Sequence, residues 1–214
     1  MSSHKIAIRI VTLFLATLIL AGCGGAESRK AKYLERGKNY LKEEKYDKAA
    51  VELKNVLQID PKHAEAYFLI ARVEEAKHNY ERAFGNYAKA VELNPDYLEA
   101  RTRLAFFYLM SNNVAKASEL TEALLAKNPN DLDARLLKAS IMSKQGNDRG
   151  AIQVATEILS AQPGYSDAVT FLAAIYVKQT KIDTAVEVLE KGVAANPKSV
   201  SMRMQLGQLY SRKK

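Results

Sequence analysis

Cysteine, histidine and glycine are scarce in this 214-residue chain, and each scarcity removes a class of chemistry. A single cysteine, Cys23, cannot form an intramolecular disulfide, so packing must hold the fold. The histidines are His4, His63 and His78, and none has a second ligand at helical spacing, so no metal site is expected. The ten glycines include no glycine-rich phosphate loop. No spacing of Ser, Asp and Glu singles out a nucleophile, a base and an orienting group. The chain therefore reads as a non-enzyme without cofactor or small-molecule substrate. A continuous basic stripe is missing too. The formal charge is +8, but it is concentrated in residues 30–63, with nine Lys or Arg against six acids, and at Arg203, Arg212, Lys213 and Lys214. Residues 64–199 sum to −1. A nucleic-acid partner is not expected from that distribution.

Proline is scarce as well, but its placement is informative. Pro61, Pro95, Pro129, Pro163 and Pro197 are each 34 residues apart. Proline lacks an N–H and disfavours helical geometry in the residue before it, so it ends helices. A stop signal at a fixed period means one structural unit repeated. Counting units from residue 30 gives 30–63, 64–97, 98–131, 132–165 and 166–199, with each proline at position thirty-two. Position eight is then Gly37, Ala71, Ala105, Ala139 and Ala173, and position twenty is Ala49, Ala83, Ala117, Ala151 and Ala185. Small residues are needed where two helix backbones cross closely. Large ones alternate with them: position eleven is Tyr40, Glu74, Tyr108, Met142 and Tyr176. A short polar turn separates two helices in each unit, at Glu44-Lys45, His78-Asn79, Asn112-Asn113, Gly146-Asn147 and Thr180-Lys181. Asn and Gly there tolerate the left-handed backbone of a helix exit. Glu74 stands where other units carry Tyr or Met, and its stem is expected to pack while its carboxylate reaches water or a tyrosine hydroxyl.

This pattern resembles the tetratricopeptide repeat, a helix–turn–helix unit of 34 residues. The resemblance covers 30–199 and half a unit beyond, and implies an all-α solenoid wound as a right-handed superhelix. Two departures stand out. Position four, often tryptophan in the family, is Tyr33, Tyr67, Arg101, Arg135 and Val169. Position twenty-seven, usually small, is Val56, Leu124 and Ile158 in three units. Residues 200–214 form one further helix, either a cap or the start of a sixth unit, with Met202, Leu206, Leu209 and Tyr210 on a face suited to a partner.

The first thirty residues carry a different signal. Lys5 and Arg9 precede the apolar run of residues 10–20, which is about half the roughly 20 residues needed to span a bilayer. A positive start, a short apolar core and small residues before a cut describe a secretory signal over 1–22. Leu20-Ala21-Gly22-Cys23 resembles the lipobox of bacterial lipoproteins. That implies acylation of Cys23, cleavage before it, and a membrane anchor of more than one acyl chain. Gly24 in place of aspartate implies the outer membrane, with the chain facing the periplasm. Residues 23–29 are expected as the lipidated cysteine and a short linker. The basic first repeat could face anionic headgroups, but its mixed charges read better as a solvated face.

In the tetratricopeptide family the first helices line a concave groove through positions two, five, nine, twelve and thirteen. Carried over, this gives Leu34, Lys38 and Leu41; then Glu65, Phe68, Arg72 and Glu75; then Glu99, Thr102, Phe106, Leu109 and Met110; then Asp133, Leu136, Ser140 and Lys144. Exposed Phe, Leu and Met there would suit an apolar peptide or helix. Phe106 and Leu109 can equally pack between helices, and both readings stay open. Residues 48–58, soon after the lipobox, resemble the start of the repeat lipoproteins of PEP-CTERM/exosortase exopolysaccharide systems. The resemblance implies an adaptor in exopolysaccharide export. Pilotin-like lipoproteins of type IV pilus and secretin assembly, and scaffolds regulating cell-wall hydrolases, are the alternatives.

Overall fold

The computed structural model describes residues 25–212, and all regular structure among them is helical. The lipobox, Cys23 and Gly24 lie outside the described residues. Helix α1 covers 25–42. It is followed by α2 (Tyr46–Ile59), α3 (Ala64–Ala76), α4 (Tyr80–Leu93), α5 (Leu98–Met110) and α6 (Val114–Lys127). Then come α7 (Leu132–Lys144), α8 (Asp148–Ala161), α9 (Ser166–Lys178), α10 (Ile182–Ala195) and α11 (Val200–Arg212). Odd-numbered helices are the first of each unit and even-numbered ones the second. Residues 25–29, expected as linker, are instead the opening of α1. Among the described residues no helix is long and apolar enough to cross a membrane. The chain divides after Ala100 into two compact units.

Each proline works through the residue before it. Asp60, Asn94, Asn128, Gln162 and Asn196 cap the C-termini of the second helices, each donating its N–H to the carbonyl four residues back. In three of them the side chain also accepts the N–H two residues on, closing an Asx turn around the proline. Asp60 takes Lys62 at 3.1 Å, Asn94 takes Asp96 at 3.0 Å and Asn128 takes Asn130 at 3.2 Å. The next helix is then started by a cap. His63 accepts from the Ala66 N–H and Asp131 from the Ala134 N–H, which gives His63 a structural task.

The turn inside each unit repeats just as strictly. Glu44, His78, Asn112, Gly146 and Thr180 all have positive φ, at 57°, 61°, 61°, 85° and 61°. The next residue's N–H returns to the carbonyl of position eleven, in Tyr40, Glu74, Tyr108, Met142 and Tyr176. This is a Schellman motif, which normally prefers glycine at the left-handed residue. Gly146 is the one glycine among these five positions; the threonine and glutamate hold a backbone that L-residues with a Cβ disfavour.

The helices pack through the small residues. Ala71, Ala105, Ala139 and Ala173, and the five alanines at position twenty, are at most 1% exposed. A Cβ on Gly37 would lie 2.7 Å from Leu53 Cδ2, so that site admits no side chain without a shift. The large residues at position twenty-seven are accommodated by their register. Val56, Leu124 and Ile158 are buried, and position three of the following unit is then Ala66, Ala134 and Ala168, each 0% exposed. The last unit reverses the pair. Position twenty-seven is Gly192, and a Cβ there would lie 2.6 Å from Cγ1 of Val169, at position four of its own unit, and 2.8 Å from Sδ of buried Met202, at position three of the next helix. At these four joints one large and one small residue meet, while the joint of Ala90 and Ala100 carries two small ones.

Gly192→Val alone should cost about 2 kcal/mol by overpacking, and Met202→Ala alone about 2–3 kcal/mol by cavity formation. Combined, they relieve the contact with Met202 but not that with Val169, and urea unfolding should show the double variant recovering part of the loss. Thr180→Gly should raise stability by about 0.5–1 kcal/mol, read from the same unfolding curves.

Candidate functional site

A helix repeats its faces every 3.6 residues, so positions two, five, six and nine of a first helix share one stripe. In the second compact unit these stripes line a cavity of about 440 Å³. Thr102, Arg103 and Phe106 come from α5, and Asp133, Leu136, Leu137 and Ser140 from α7. Asp167, Thr170 and Phe171 come from α9, and Gln205 from α11. The helices α7 and α9 lie directly against each other, as do α9 and α11.

The cavity combines apolar wall with charge. Phe106 is 38% exposed despite its size, while Leu136 and Phe171 are half-buried. The Arg103 guanidinium lies 5.4 Å from the Phe106 ring centroid, a cation–π distance. Asp133 accepts a hydrogen bond from the Tyr165 hydroxyl. Burial, and then that carboxylate, hold the Tyr165 phenol above its ordinary value. Ser140 donates to the Leu136 carbonyl of its own helix at 2.9 Å. Asp167 is exposed in the first turn of α9.

Of the expected groove residues, Thr102, Phe106, Asp133, Leu136 and Ser140 line this cavity together. Met110 is 61% exposed but is not among the lining residues. Leu109 is not available to a ligand: it is 6% exposed and packs with Ala117 and Ile141. Phe106 and Leu109 thus divide the two readings between them. In the first compact unit Phe68 is also buried, not displayed. Its ring centroid lies 4.8 Å from Tyr97 and 5.7 Å from Tyr87. Lys38 forms an ion pair with Glu65 at 2.6 Å. Leu34 is half-buried and Arg72 exposed. Glu75 accepts the hydroxyl of fully buried Tyr87 at 2.7 Å, so this carboxylate anchors the core. Glu74 takes the Asn79 side chain at 2.9 Å, fastening the turn instead of meeting a tyrosine. His78 occupies the left-handed turn with Tyr80 beside it at 3.0 Å.

Arg103, Leu137, Phe171 and Gln205 were not anticipated. All stand at position six, adjacent on the helix to position five, which the family pattern names. Asp167 and Thr170 occupy positions two and five of the fifth unit, and extending the register by one unit finds them.

With this geometry the class of the chain is defined: it is a tetratricopeptide-repeat protein. The family model described as "Cytochrome c-type biogenesis protein H TPR domain" matches residues 26–168, two thirds of the chain, and the chain belongs to that family. A further tetratricopeptide model matches residues 143–210. No curated protein matches the chain. Among solved structures, a thermophilic tetratricopeptide protein of Thermus thermophilus superposes with a TM-score of 0.72 at 18% identity, covering 85% of this chain and 98% of its own. Pseudomonas aeruginosa PilF superposes at 0.64 with 15% identity, covering 88% of this chain and 87% of its own. YrrB, described as having an unusual peptide-binding site, superposes at 0.56 with 18% identity over 82% of this chain and 90% of its own. At these identities the likeness is one of fold.

The Tyr87 hydroxyl gives a testable consequence. Burial pushes its phenol well above the ordinary value near 10, opposed by the charge of Arg72. As pH rises past that value, tyrosine in the unfolded chain ionises while the buried one stays protonated. Stability is therefore full below about pH 10 and falls above it. Tyr87→Phe should cost about 1 kcal/mol at pH 7. Urea midpoints at pH 7 and pH 11 should show the gap between variant and parent narrowing at the higher pH.

Proposed function

We propose that this chain is a lipid-anchored repeat scaffold of the bacterial cell envelope. It holds a protein or peptide partner in the cavity of its second compact unit. The observation that carries this reading is the cavity itself. Three consecutive first helices turn Phe106, Leu136 and Phe171 toward the cavity beside two carboxylates. Apolar side chains presented this way on a repeat scaffold suit a protein ligand. Cys23 in its lipobox supports anchoring, and Gly24 supports the outer membrane with the repeats in the periplasm. The resemblance of residues 48–58 supports exopolysaccharide export as the pathway, before pilotin-like or hydrolase-regulating roles. The family match over residues 26–168 supports a second reading, a part in cytochrome c-type biogenesis.

Deletion of the gene separates these readings. The export reading expects loss of secreted exopolysaccharide with c-type cytochromes and pili intact. Loss of haem-stained cytochromes instead would establish the second reading and overturn the first. Complementation with Phe106→Asp should fail at normal protein levels, because a carboxylate on the apolar wall disrupts the surface. Full complementation would remove the cavity from the function. Cys23→Ser should move the protein from the membrane to the soluble fraction, and continued membrane retention would sink the anchor.

A further inference from the structure

We infer that the cavity of the second compact unit selects a protein segment carrying a lysine or arginine beside apolar side chains, and that Asp133 and Asp167 read the cation. The inference rests on the proposal that this cavity holds the partner.

Position two of a first helix is acidic in four consecutive units: Glu65, Glu99, Asp133 and Asp167. A carboxylate there is favoured by the helix N-terminus whatever it faces. What differs is the residue that meets it. In the first compact unit, Glu65 is neutralised by Lys38, from position nine of the preceding first helix, at 2.6 Å. Arg72 and Glu99 occupy the next pair of the same positions. In the second compact unit position nine is Phe106 and then Ser140, so neither helix supplies a cation from that position, although Arg103, at position six of α5, also lines the cavity. Asp133 accepts the Tyr165 hydroxyl, which leaves other lone pairs of the carboxylate open. Asp167 has no ion pair among the described residues.

Two first-turn acids of second helices show the same internal pairing from the next unit. Asp47 and Asp148, on second helices, are paired with Lys77 at 2.6 Å and Lys178 at 3.0 Å. Arg103, the one basic residue of the cavity wall, lies over the Phe106 ring. The lining therefore offers two carboxylates where the repeat elsewhere places an ammonium, beside the Phe106, Leu136 and Phe171 surface. A partner's lysine or arginine takes the role of Lys38, while its neighbouring apolar side chains fill the wall.

The test is selection of a random 12-residue peptide library on the purified full-length chain, with Phe106→Asp as counter-target. The expected consensus places Lys or Arg next to Leu, Ile or Phe. A synthetic consensus peptide should lose about fivefold in affinity when its cation becomes Gln, the size of a partly exposed ion pair. Asp133→Asn with Asp167→Asn should erase that difference. Ser140→Lys should weaken the cationic peptide more than its Gln counterpart, because it installs the internal pairing seen at Lys38. An apolar consensus without a cation, or equal affinity of the Lys and Gln peptides, overturns the charge reading and leaves the binding surface standing. No enrichment over Phe106→Asp overturns both.

Discussion

Two helix backbones pass so close in every unit that nothing larger than a methyl group fits between them. The alanines at positions eight and twenty are buried in each unit, and where glycine replaces alanine, at Gly37, Leu53 has moved into the space. Such an approach dictates the turn. The chain must leave one helix and start the next within about three residues, and the Schellman exit does this with a single left-handed residue. That geometry recurs at Glu44, His78, Asn112, Gly146 and Thr180 although one of the five is glycine. The helix pair over-determines the backbone, so the local cost of a β-branched residue at Thr180 is carried by the packing around it.

Period, unit boundaries, small residues and turns were all legible in the sequence, because each depends on residue type at a fixed offset. What escaped depends on which side chain from the next unit arrives opposite. The oversized residues at position twenty-seven looked like packing faults until position three was placed across the joint. Val56, Leu124 and Ile158 then precede alanine, and Gly192 precedes Met202. Phe68 escaped for the same reason. It stands at a groove position, but Tyr97, the last residue of its unit, folds over it. Tyr165 holds the equivalent place in its own unit and turns to Asp133. These tyrosines occupy position thirty-four, where His63 and Asp131 cap the following helix. Tyr165 makes no cap bond, and its ring serves the face of the preceding first helix instead. A single offset therefore carries two tasks, and residue type alone does not reveal which neighbour is covered.

The basic excess of the first repeat resolves in a similar way. Lys30 pairs with Glu27 and Asp60, Arg36 with Glu52, Lys38 with Glu65 and Lys45 with Glu43. Four of the nine basic residues of 30–63 are thus paired, and three of them, Lys30, Arg36 and Lys38, reach a residue of another element. Each exposed pair contributes little by itself.

The second compact unit departs from this pairing at position nine. Replacing a cation with Phe106 and Ser140 removes the partner of the following acid and, in the same step, puts an aromatic ring beside it. The helix N-terminus still favours the carboxylate, so the acid stays without its counter-charge. On the proposed reading, a repeat array acquires a binding surface without new backbone, by interrupting a pairing of the kind seen at Lys38 and Glu65. The scaffold positions are unchanged across the interruption, with Ala105, Ala117, Ala139 and Ala151 still closing their helix pairs. Most residues that build the fold and most that line the cavity occupy different offsets of the same 34-residue unit, with Leu137 serving both. For that reason the fold could be read from what repeats, and the site only from the place where the repetition fails.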